Sequence, residues 1–137
     1  MLLKNLIKNS SLKLKTIDIK NLSLDSRKVK RGDLFFALKG SKYNGNFFIN
    51  HAISRGAKAV VCEKNTKVEI KKNVPLIKVN NIKKSLAFAC SKFFKKKPAN
   101  IIAVTGTNGK SSVADYYYQI LKKNKIPAAS IGTLGIK

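Results

Sequence analysis

A glycine-containing loop at residues 105–112, with the sequence Thr-Gly-Thr-Asn-Gly-Lys-Ser-Ser, carries the clearest chemistry in the chain. The apolar run at residues 101–104 predicts a strand before the loop, and the pattern after it predicts a helix. Backbone N–H groups and the positive end of the helix dipole attract phosphate at such a junction. Gly106 and Gly109 let the backbone curl around the anion, and Lys110 adds a positive charge. We therefore expect a phosphate-binding loop.

The side chains of this loop define a candidate site for a nucleoside triphosphate, ATP or a relative of it, with Mg²⁺. Lys110 is the candidate catalytic residue near the outer phosphates, and the Ser111 hydroxyl is a candidate Mg²⁺ ligand. The predicted nucleotide-binding residues are Gly106, Thr107, Asn108, Gly109, Lys110, Ser111 and Ser112. The loop is shorter than the common G-x-x-x-x-G-K-[ST] pattern, because Val104 stands where the first glycine belongs. The alternative is an ordinary turn with a helix cap at Asn108 or Ser111, but the flanking strand and helix favour phosphate binding.

The middle of the chain is typical of a strand, a helix and a parallel strand. Residues 34–38 are an apolar run between two turns, and residues 57–62 are a second apolar run. Between them, residues 47–55 predict a helix with Phe48 and Ala52 on its apolar face and with Ile49 and Ile53 as further candidates for that face. Gly56 stands where the helix should end. This order predicts an α/β fold with parallel strand pairing.

A domain boundary is predicted after residue 97. A strand at residues 74–79 and a helix at residues 82–94 complete the first part, and three lysines followed by Pro98 end it. We expect a small α/β domain at residues 1–97. Residues 98–137 then supply the first strand, phosphate loop and helix of a parallel-sheet ATPase domain. Because so short a segment cannot cover both faces of a sheet, we expect the chain to be the N-terminal piece of a longer protein.

The charge of the chain is strongly positive. Its 29 Lys and Arg against 6 Asp and Glu give a net charge of +23, an excess usually associated with nucleic-acid binding. Only Arg27, Arg31 and Arg55 are arginines, and the lysines are spread over almost every segment. Without interleaved arginines and aromatic rings, this distribution favours a solvated lysine surface. We expect no dedicated nucleic-acid partner, and a basic nucleic-acid-binding protein remains the alternative.

The cysteines and the hydropathy pattern bear on location. Cys62 and Cys90 lie in apolar surroundings without metal-ligand spacing, which predicts buried thiols in a reducing compartment. The N-terminal residues contain too many lysines for a signal peptide, and no stretch approaches the ~18 apolar residues of a membrane span. We therefore expect a cytoplasmic protein with no membrane partner.

The loop resembles the ATP loop of the Mur ligase family, whose members add amino acids to peptidoglycan precursors. Upstream, residues 24–40 with Asn44-Gly45 and Gly56-Ala57 resemble the substrate-binding first domain of the MurE and MurF types in that family. The resemblance extends over about residues 22–137. It therefore implies a substrate-binding domain followed by the start of an ATP-binding domain.

Two segments bear on the type within the family. Thr107-Asn108 in the loop and Ser-Ile-Gly-Thr-Leu-Gly at residues 130–135 are similar to the MurE pattern, whereas the MurF loop usually has Ser in that region. The sequence departs from the family pattern at Arg31, where a Pro often stands, and at Ser112, where a Thr often stands. Neither change removes a functional group from the loop. The resemblance implies the MurE type, with the MurF type as the alternative.

The resemblance also implies how a substrate is held. The first domain would bind the UDP end of UDP-N-acetylmuramoyl-L-alanyl-D-glutamate. The implied substrate-binding residues are Leu24, Ser26, Ser41, Lys42 and Tyr43. A Ser hydroxyl can donate to and accept from a uracil edge, and Lys and Tyr side chains can reach a pyrophosphate or stack on a ring. We expect Asp25 and Arg27 to form an internal pair in their turn and His51 to have a structural or exposed role.

The implied activity is ATP-dependent amide-bond formation in peptidoglycan synthesis, and so in cell-wall biogenesis, cell shape and cell division. ATP would phosphorylate the terminal carboxylate to an acyl phosphate, which the amine of the third amino acid attacks with release of phosphate. The resemblance leaves meso-diaminopimelate and L-lysine open, and we expect meso-diaminopimelate because of its breadth among bacteria. The chain alone is expected to be a monomer without ligase activity, since further Mg²⁺ ligands and the amino-acid site would lie after Lys137.

Overall fold

The chain forms two compact units, Met1–Lys97 and Pro98–Lys137. The structure is a computed structural model that describes residues 1–7, 16–40, 43–68 and 73–137. The implied substrate residues Ser41 and Lys42 lie outside the described residues.

The first unit is built on a sheet of four strands in the order β1-β2-β3-β4. The strands are β1 (Asn21–Ser23), β2 (Asp33–Phe36), β3 (Ala59–Glu63) and β4 (Leu76–Val79). The helices are α1 (Ile49–Ser54) and α2 (Ile82–Phe93), with 3-10 turns at Leu3–Asn5, Ser26–Lys28 and Gly45–Phe48. Each pair of neighbouring strands is parallel. The predicted α/β class is confirmed, as is the unit formed by β2, α1 and β3.

The apolar run of β2 is continuous because the sheet is covered on both faces. Leu34 and Phe36 belong to one hydrophobic cluster, with Leu3, Leu6, Ile7, Ile19, Ala59, Val61, Ile77, Ile82 and Ala89. Phe35 and Ala37 belong to a second cluster, with Val29, Ile49, Ala52, Ile53, Ala57, Val60 and Cys62. Successive side chains of a strand point to opposite faces of the sheet. Burial on both faces therefore explains the uninterrupted apolar run at residues 34–36, which follows the buried Asp33.

Helix α1 begins later than the sequence predicts. Residues 45–48 form a 3-10 turn, and the buried face of α1 consists of Ile49, Ala52 and Ile53. The placement of Phe48 on that face is wrong, because its side chain is 39% exposed. The predicted end at Gly56 is confirmed. Its φ of +104° and the bonds from its N–H to Ile53 O (3.0 Å) and from Ala57 N–H to Ala52 O (3.0 Å) form a Schellman motif.

Strand β1 has no clear signal in the sequence. It is three residues long, and only Ser23 is buried. Its place is set by parallel pairing with β2, where Asn21 lies opposite Asp33 and Ser23 opposite Phe35. Its carboxyl end leads directly into the turn at Ser26–Lys28, so this short strand positions the first implied substrate residues.

The two cysteines differ in burial. Cys62 is buried on β3 as predicted, whereas Cys90 is only partly buried, so the prediction is wrong for the second thiol. On α2 the inward position is taken by its neighbour Ala89, and one residue further along a helix the side chain points about 100° away. Burial raises the pKa of both thiols.

The second unit contains α3 (Lys110–Lys123) and an antiparallel hairpin of β5 (Ile131–Gly132) and β6 (Gly135–Ile136). The predicted helix after the loop is confirmed. The strand predicted at residues 101–104 is not formed, because a strand requires ladder hydrogen bonds to a neighbour and β5 and β6 pair only with each other. Across the described ranges, no helix has the length and apolar character needed to cross a membrane.

Candidate functional site

The loop before α3 has the backbone conformation that its glycines predict. Gly109 is the N-cap residue of α3 with φ +73°, and Gly106 has φ +148°. Both values lie in the region that side chains with a Cβ rarely adopt. A Cβ built on Gly109 would have no neighbour within 4 Å. The backbone conformation, and not crowding, therefore selects glycine here.

No side chain caps the start of α3. The N-cap residue is Gly109, which has no side chain to cap the helix, and the first turn contains no acidic residue. The alternative turn, with Asn108 or Ser111 as the capping residue, is therefore not the one formed. A helix start without a side-chain cap leaves its first N–H groups available to another acceptor. Together with the helix dipole, this arrangement suits an anion.

Lys110 lies at the first position of α3, and its side chain turns back over the loop. Its Nζ donates to the carbonyl oxygen of Gly106 and, at 3.0 Å, to that of Thr107. The ammonium group is therefore held beside the two glycines and the open helix start. A phosphate bound to the loop amides would lie within reach of this charge.

Two hydroxyl groups meet beside the first turn of α3. Ser111 Oγ lies 2.8 Å from Thr133 Oγ1, with either atom able to donate. Thr133 belongs to the turn between β5 and β6, so the hairpin orients the candidate Mg²⁺ ligand. Ser112 and the loop residues Thr107 and Asn108 are exposed.

Asp115 is held by neighbours and does not face the loop as a free carboxylate. Lys137 Nζ donates to its Oδ1 at 2.5 Å, and Gln119 Nε2 donates to its Oδ2 at 2.7 Å. The Lys137 bond, followed by the Gln119 bond, lowers the pKa of Asp115. No cluster of three or more His, Cys, Asp or Glu side chains occurs among residues 1–7, 16–40, 43–68 and 73–137.

The implied substrate residues of the first unit follow the carboxyl ends of β1 and β2. Leu24 is exposed immediately after β1, and Ser26 begins the next turn with only 6% of its surface exposed. Ligands in parallel α/β sheets bind outside the carboxyl ends of the strands. This end of the sheet is therefore a suitable place for a small ligand.

Asp25 and Arg27 form the expected internal pair. Arg27 Nη2 donates to Asp25 Oδ2 at 2.9 Å, and the backbone N–H of Arg27 donates to Oδ1 at 2.9 Å. The side-chain bond from Arg27, followed by its backbone bond, lowers the pKa of Asp25 to about 2. These bonds fix the turn that carries Ser26.

Tyr43 is the most exposed of the implied substrate residues that the structure describes, at 72%. Its ring meets that of Phe48 edge to face, with 6.4 Å between the ring centroids. Asp25 raises the pKa of Arg27, first through its side-chain hydrogen bond, and Tyr43 adds a smaller electrostatic contribution of the same sign. Tyr43 therefore presents an exposed ring beside that of Phe48.

His51 makes a contact that the sequence did not predict. Its Nδ1 lies 3.0 Å from Ser26 Oγ, so the single histidine of the chain touches an implied substrate residue. The two residues are 25 positions apart, and the contact exists because α1 packs against the turn at Ser26–Lys28. No local pattern signals such a pair.

Comparison with known proteins gives a family match and close relatives. The family described as "Mur ligase family, catalytic domain" matches residues 18–108. The UDP-N-acetylmuramoyl-L-alanyl-D-glutamate--2,6-diaminopimelate ligase of Rickettsia prowazekii is 45% identical over 119 residues, which are 87% of this chain and 24% of that protein. The enzyme of the same name from Rhizobium meliloti is 44% identical over 121 residues, 88% of this chain and 24% of its own. The chain thus spans about a quarter of the length of the curated relatives it matches.

Two solved structures have the same fold. A UDP-N-acetylmuramoyl-L-alanyl-D-glutamate--2,6-diaminopimelate ligase structure superimposes with a TM-score of 0.67 and 26% identity, covering 95% of this chain and 26% of that one. The MurF ligase of Thermotoga maritima, solved in complex with ADP, gives a TM-score of 0.59 and 27% identity over 80% of this chain and 25% of that one.

Proposed function

This chain belongs to the Mur ligase family, and we propose that it supplies the substrate-binding domain and the ATP loop of a MurE-type amide-bond ligase. In this proposal residues 1–97 hold the UDP-linked precursor, and residues 98–137 begin the ATP-binding domain. The division of the chain at Lys97 and Pro98 supports these two roles. The names of the relatives support UDP-N-acetylmuramoyl-L-alanyl-D-glutamate as the acceptor and 2,6-diaminopimelate, as the meso form, as the added amino acid.

The proposed reaction joins a carboxylate to an amine. The terminal carboxylate of the precursor attacks the γ-phosphorus of ATP, forming an acyl phosphate and releasing ADP. The amine of the amino acid then attacks the acyl carbon, an amide bond forms and phosphate leaves. Such a reaction requires that charge on the transferred phosphoryl group be neutralised and that the reactants be aligned. The use of ATP by the family supports a cytoplasmic site of action.

The observation that carries the proposal is the uncapped start of α3 behind two glycines with positive φ. The loop amides and the helix dipole would hold the phosphates, with Gly106, Thr107, Asn108, Gly109 and Ser112 forming the cradle. Lys110, already held beside the loop carbonyls, would turn its ammonium to the γ-phosphoryl oxygens. These are positioning and electrostatic roles.

The proposal includes an Mg²⁺ ion that binds together with the nucleotide. Ser111 Oγ, oriented by Thr133, fits one coordination position, and nucleotide phosphates with water fit the others. The nearest acid on the same helix, Asp115, is engaged by Lys137 and Gln119. When bound, the metal would supply positive charge at the phosphates.

The substrate side of the proposal rests on the turn after β1 and the loop after β2. Ser26 would contact the uracil edge, Leu24 and Tyr43 would contact the ring or the diphosphate, and Ser41 and Lys42 would complete the set. The Asp25–Arg27 pair would keep the turn in place. The MurF type is the second candidate. The MurE type is favoured because its solved member gives the higher TM-score and covers more of this chain.

The proposed function predicts two separate nucleotide sites, one in each unit. Titration of the full chain with UDP should shift backbone amide signals at Ser26 and Tyr43, and titration with Mg·ADP should shift those from Gly106 to Ser112. Isothermal titration calorimetry should give one site for each ligand. ADP that binds elsewhere, or that does not bind, would contradict the assignment of the loop.

The same samples distinguish the nucleic-acid alternative. A single-stranded oligonucleotide titrated at 50 and 200 mM salt should bind weakly, as expected for any protein of charge +23. Binding that is tight at 50 mM salt and falls steeply at 200 mM, without amide shifts by ADP, would instead favour a nucleic-acid-binding protein.

A further inference from the structure

Ser26 is a buried polar residue whose hydroxyl has a defined partner. Only 6% of its surface is exposed, and burial without a hydrogen bond is costly for a hydroxyl group. Nδ1 of His51, 3.0 Å from Ser26 Oγ, supplies the bond. A hydroxyl has one donor hydrogen and two acceptor lone pairs, so this bond leaves hydrogen-bonding capacity for a ligand.

His51 is itself well anchored. It lies on α1, whose other face is buried through Ile49, Ala52 and Ile53. Its backbone carbonyl accepts from Ser54 Oγ at 2.8 Å and from the N–H of Arg55 at 3.1 Å. The imidazole therefore extends from a fixed helix to a turn that the Asp25–Arg27 pair also fixes.

We propose that His51 is a positioning residue that fixes the Ser26 hydroxyl for recognition of the uracil ring. The inference rests on the proposed function, because it takes uridine as the ligand of Ser26. The proposal takes the tautomer in which Nδ1 accepts the hydrogen of the Ser26 hydroxyl. In that tautomer the hydroxyl hydrogen is committed to His51, and the oxygen meets the ligand as an acceptor. Without His51, the hydroxyl rotates freely and no longer distinguishes one base edge from another.

The ligand class follows from base chemistry. Uracil presents an N–H donor flanked by carbonyl oxygens, whereas cytosine presents a ring nitrogen acceptor and an amino donor. A fixed hydroxyl that fits one pattern is mismatched to the other, and sites built on such hydrogen bonds reject the wrong partner. The contribution of His51 is therefore to selectivity between uridine and cytidine nucleotides, and not only to affinity.

The test measures UDP and CDP affinity of the full chain by calorimetry for the wild type, Ser26→Ala, His51→Ala, His51→Asn and the double variant S26A/H51A. The wild type should prefer UDP, and His51→Ala should lower that preference about 2- to 10-fold, as expected for one hydrogen bond. Asn places a side-chain nitrogen or oxygen close to the position of Nδ1, so His51→Asn should restore the preference to within about twofold. The double variant should be no less selective than Ser26→Ala, because both changes remove the same interaction.

The results distinguish failure of the proposed function from failure of the role of His51. A wild-type chain that binds neither UDP nor CDP would overturn the proposed function of the first unit and this inference with it. Wild-type preference for UDP that persists in His51→Ala would overturn the role of His51 alone. Equal losses for UDP and CDP in His51→Ala, additive with Ser26→Ala, would also overturn it, because they indicate a general structural role.

Discussion

Replacing Phe36 by Ala is expected to lower the free energy of unfolding of the first unit by about 3–5 kcal/mol. Phe36 is the last residue of β2 and is 0% exposed. It packs in the cluster that covers the sheet on the side of α2 and the N-terminal 3-10 turn, together with Leu34, Ile77 and Ile82. Truncation removes most of a large side chain from this cluster and leaves a cavity that the neighbouring strands cannot close.

The matched control for this change is Phe47→Ala. Phe47 is also a phenylalanine of the first unit, but it is 82% exposed, so its truncation should change the free energy of unfolding by less than about 0.5 kcal/mol. The chain contains no Trp, and urea unfolding is best followed by the amide NMR signals of β3. A loss below about 1 kcal/mol for Phe36→Ala, or equal losses for the two variants, would contradict the two-sided packing of the sheet.

Replacing Lys110 by Ala is expected to weaken Mg·ADP binding about 10- to 150-fold. The estimate follows from the value of a hydrogen bond to a charged group, about 1.5–3 kcal/mol, with 1.4 kcal/mol for each tenfold change in affinity. The ammonium group lies over the loop, bonded to the carbonyl oxygens of Gly106 and Thr107. A bound phosphate would form a charge-assisted hydrogen bond with this ammonium group, and alanine cannot supply that bond.

Lys123→Ala is the control for the loss of one positive charge. Lys123 is the last residue of α3, about 20 Å from Lys110 along the helix axis. Its removal should change the ADP affinity less than twofold, since charges further apart than the Debye length are screened. Calorimetry of both variants under the same salt gives the comparison. If Lys110→Ala binds Mg·ADP within twofold of the wild type, the loop is not the phosphate site.

The parts of the fold that sequence predicts well are those where one residue type serves a single physical requirement. β2 and β3 are recognisable because both faces are buried, so that residues 34–36 and 59–62 are apolar without interruption. Gly56 is recognisable because the end of α1 needs a positive φ. β1 is not, because three residues with one buried side chain give no period to detect.

The prediction of a strand at residues 101–104 failed for a different reason. Its composition is that of a buried strand, but strand formation depends on a neighbour as well as on composition. In the second unit the described strands β5 and β6 pair with each other, and none of α3 is buried. The apolar residues 101–104 are all exposed.

The two candidate sites also differ in how far the sequence predicts them. The residues of the phosphate loop are contiguous, so the roles of Gly106, Gly109 and Lys110 could be predicted without knowledge of the fold. The contact between Ser26 and His51 could not, because it depends on how α1 packs against the turn after β1. The family resemblance implied Ser26 as a substrate-binding residue, whereas only the structure shows its contact with His51.

The central claim is that this chain can serve as the substrate-binding and ATP-loop part of a MurE-type ligase. It is tested most directly by replacing the matching quarter of the Rickettsia prowazekii ligase with this chain and measuring release of ADP. The proposal predicts turnover that requires both UDP-N-acetylmuramoyl-L-alanyl-D-glutamate and meso-diaminopimelate and that is lost in the Lys110→Ala chimera. A second chimera with the matching segment of the Rhizobium meliloti enzyme controls for the exchange itself. If that control is active while the folded chimera with this chain does not turn over, the claim is contradicted.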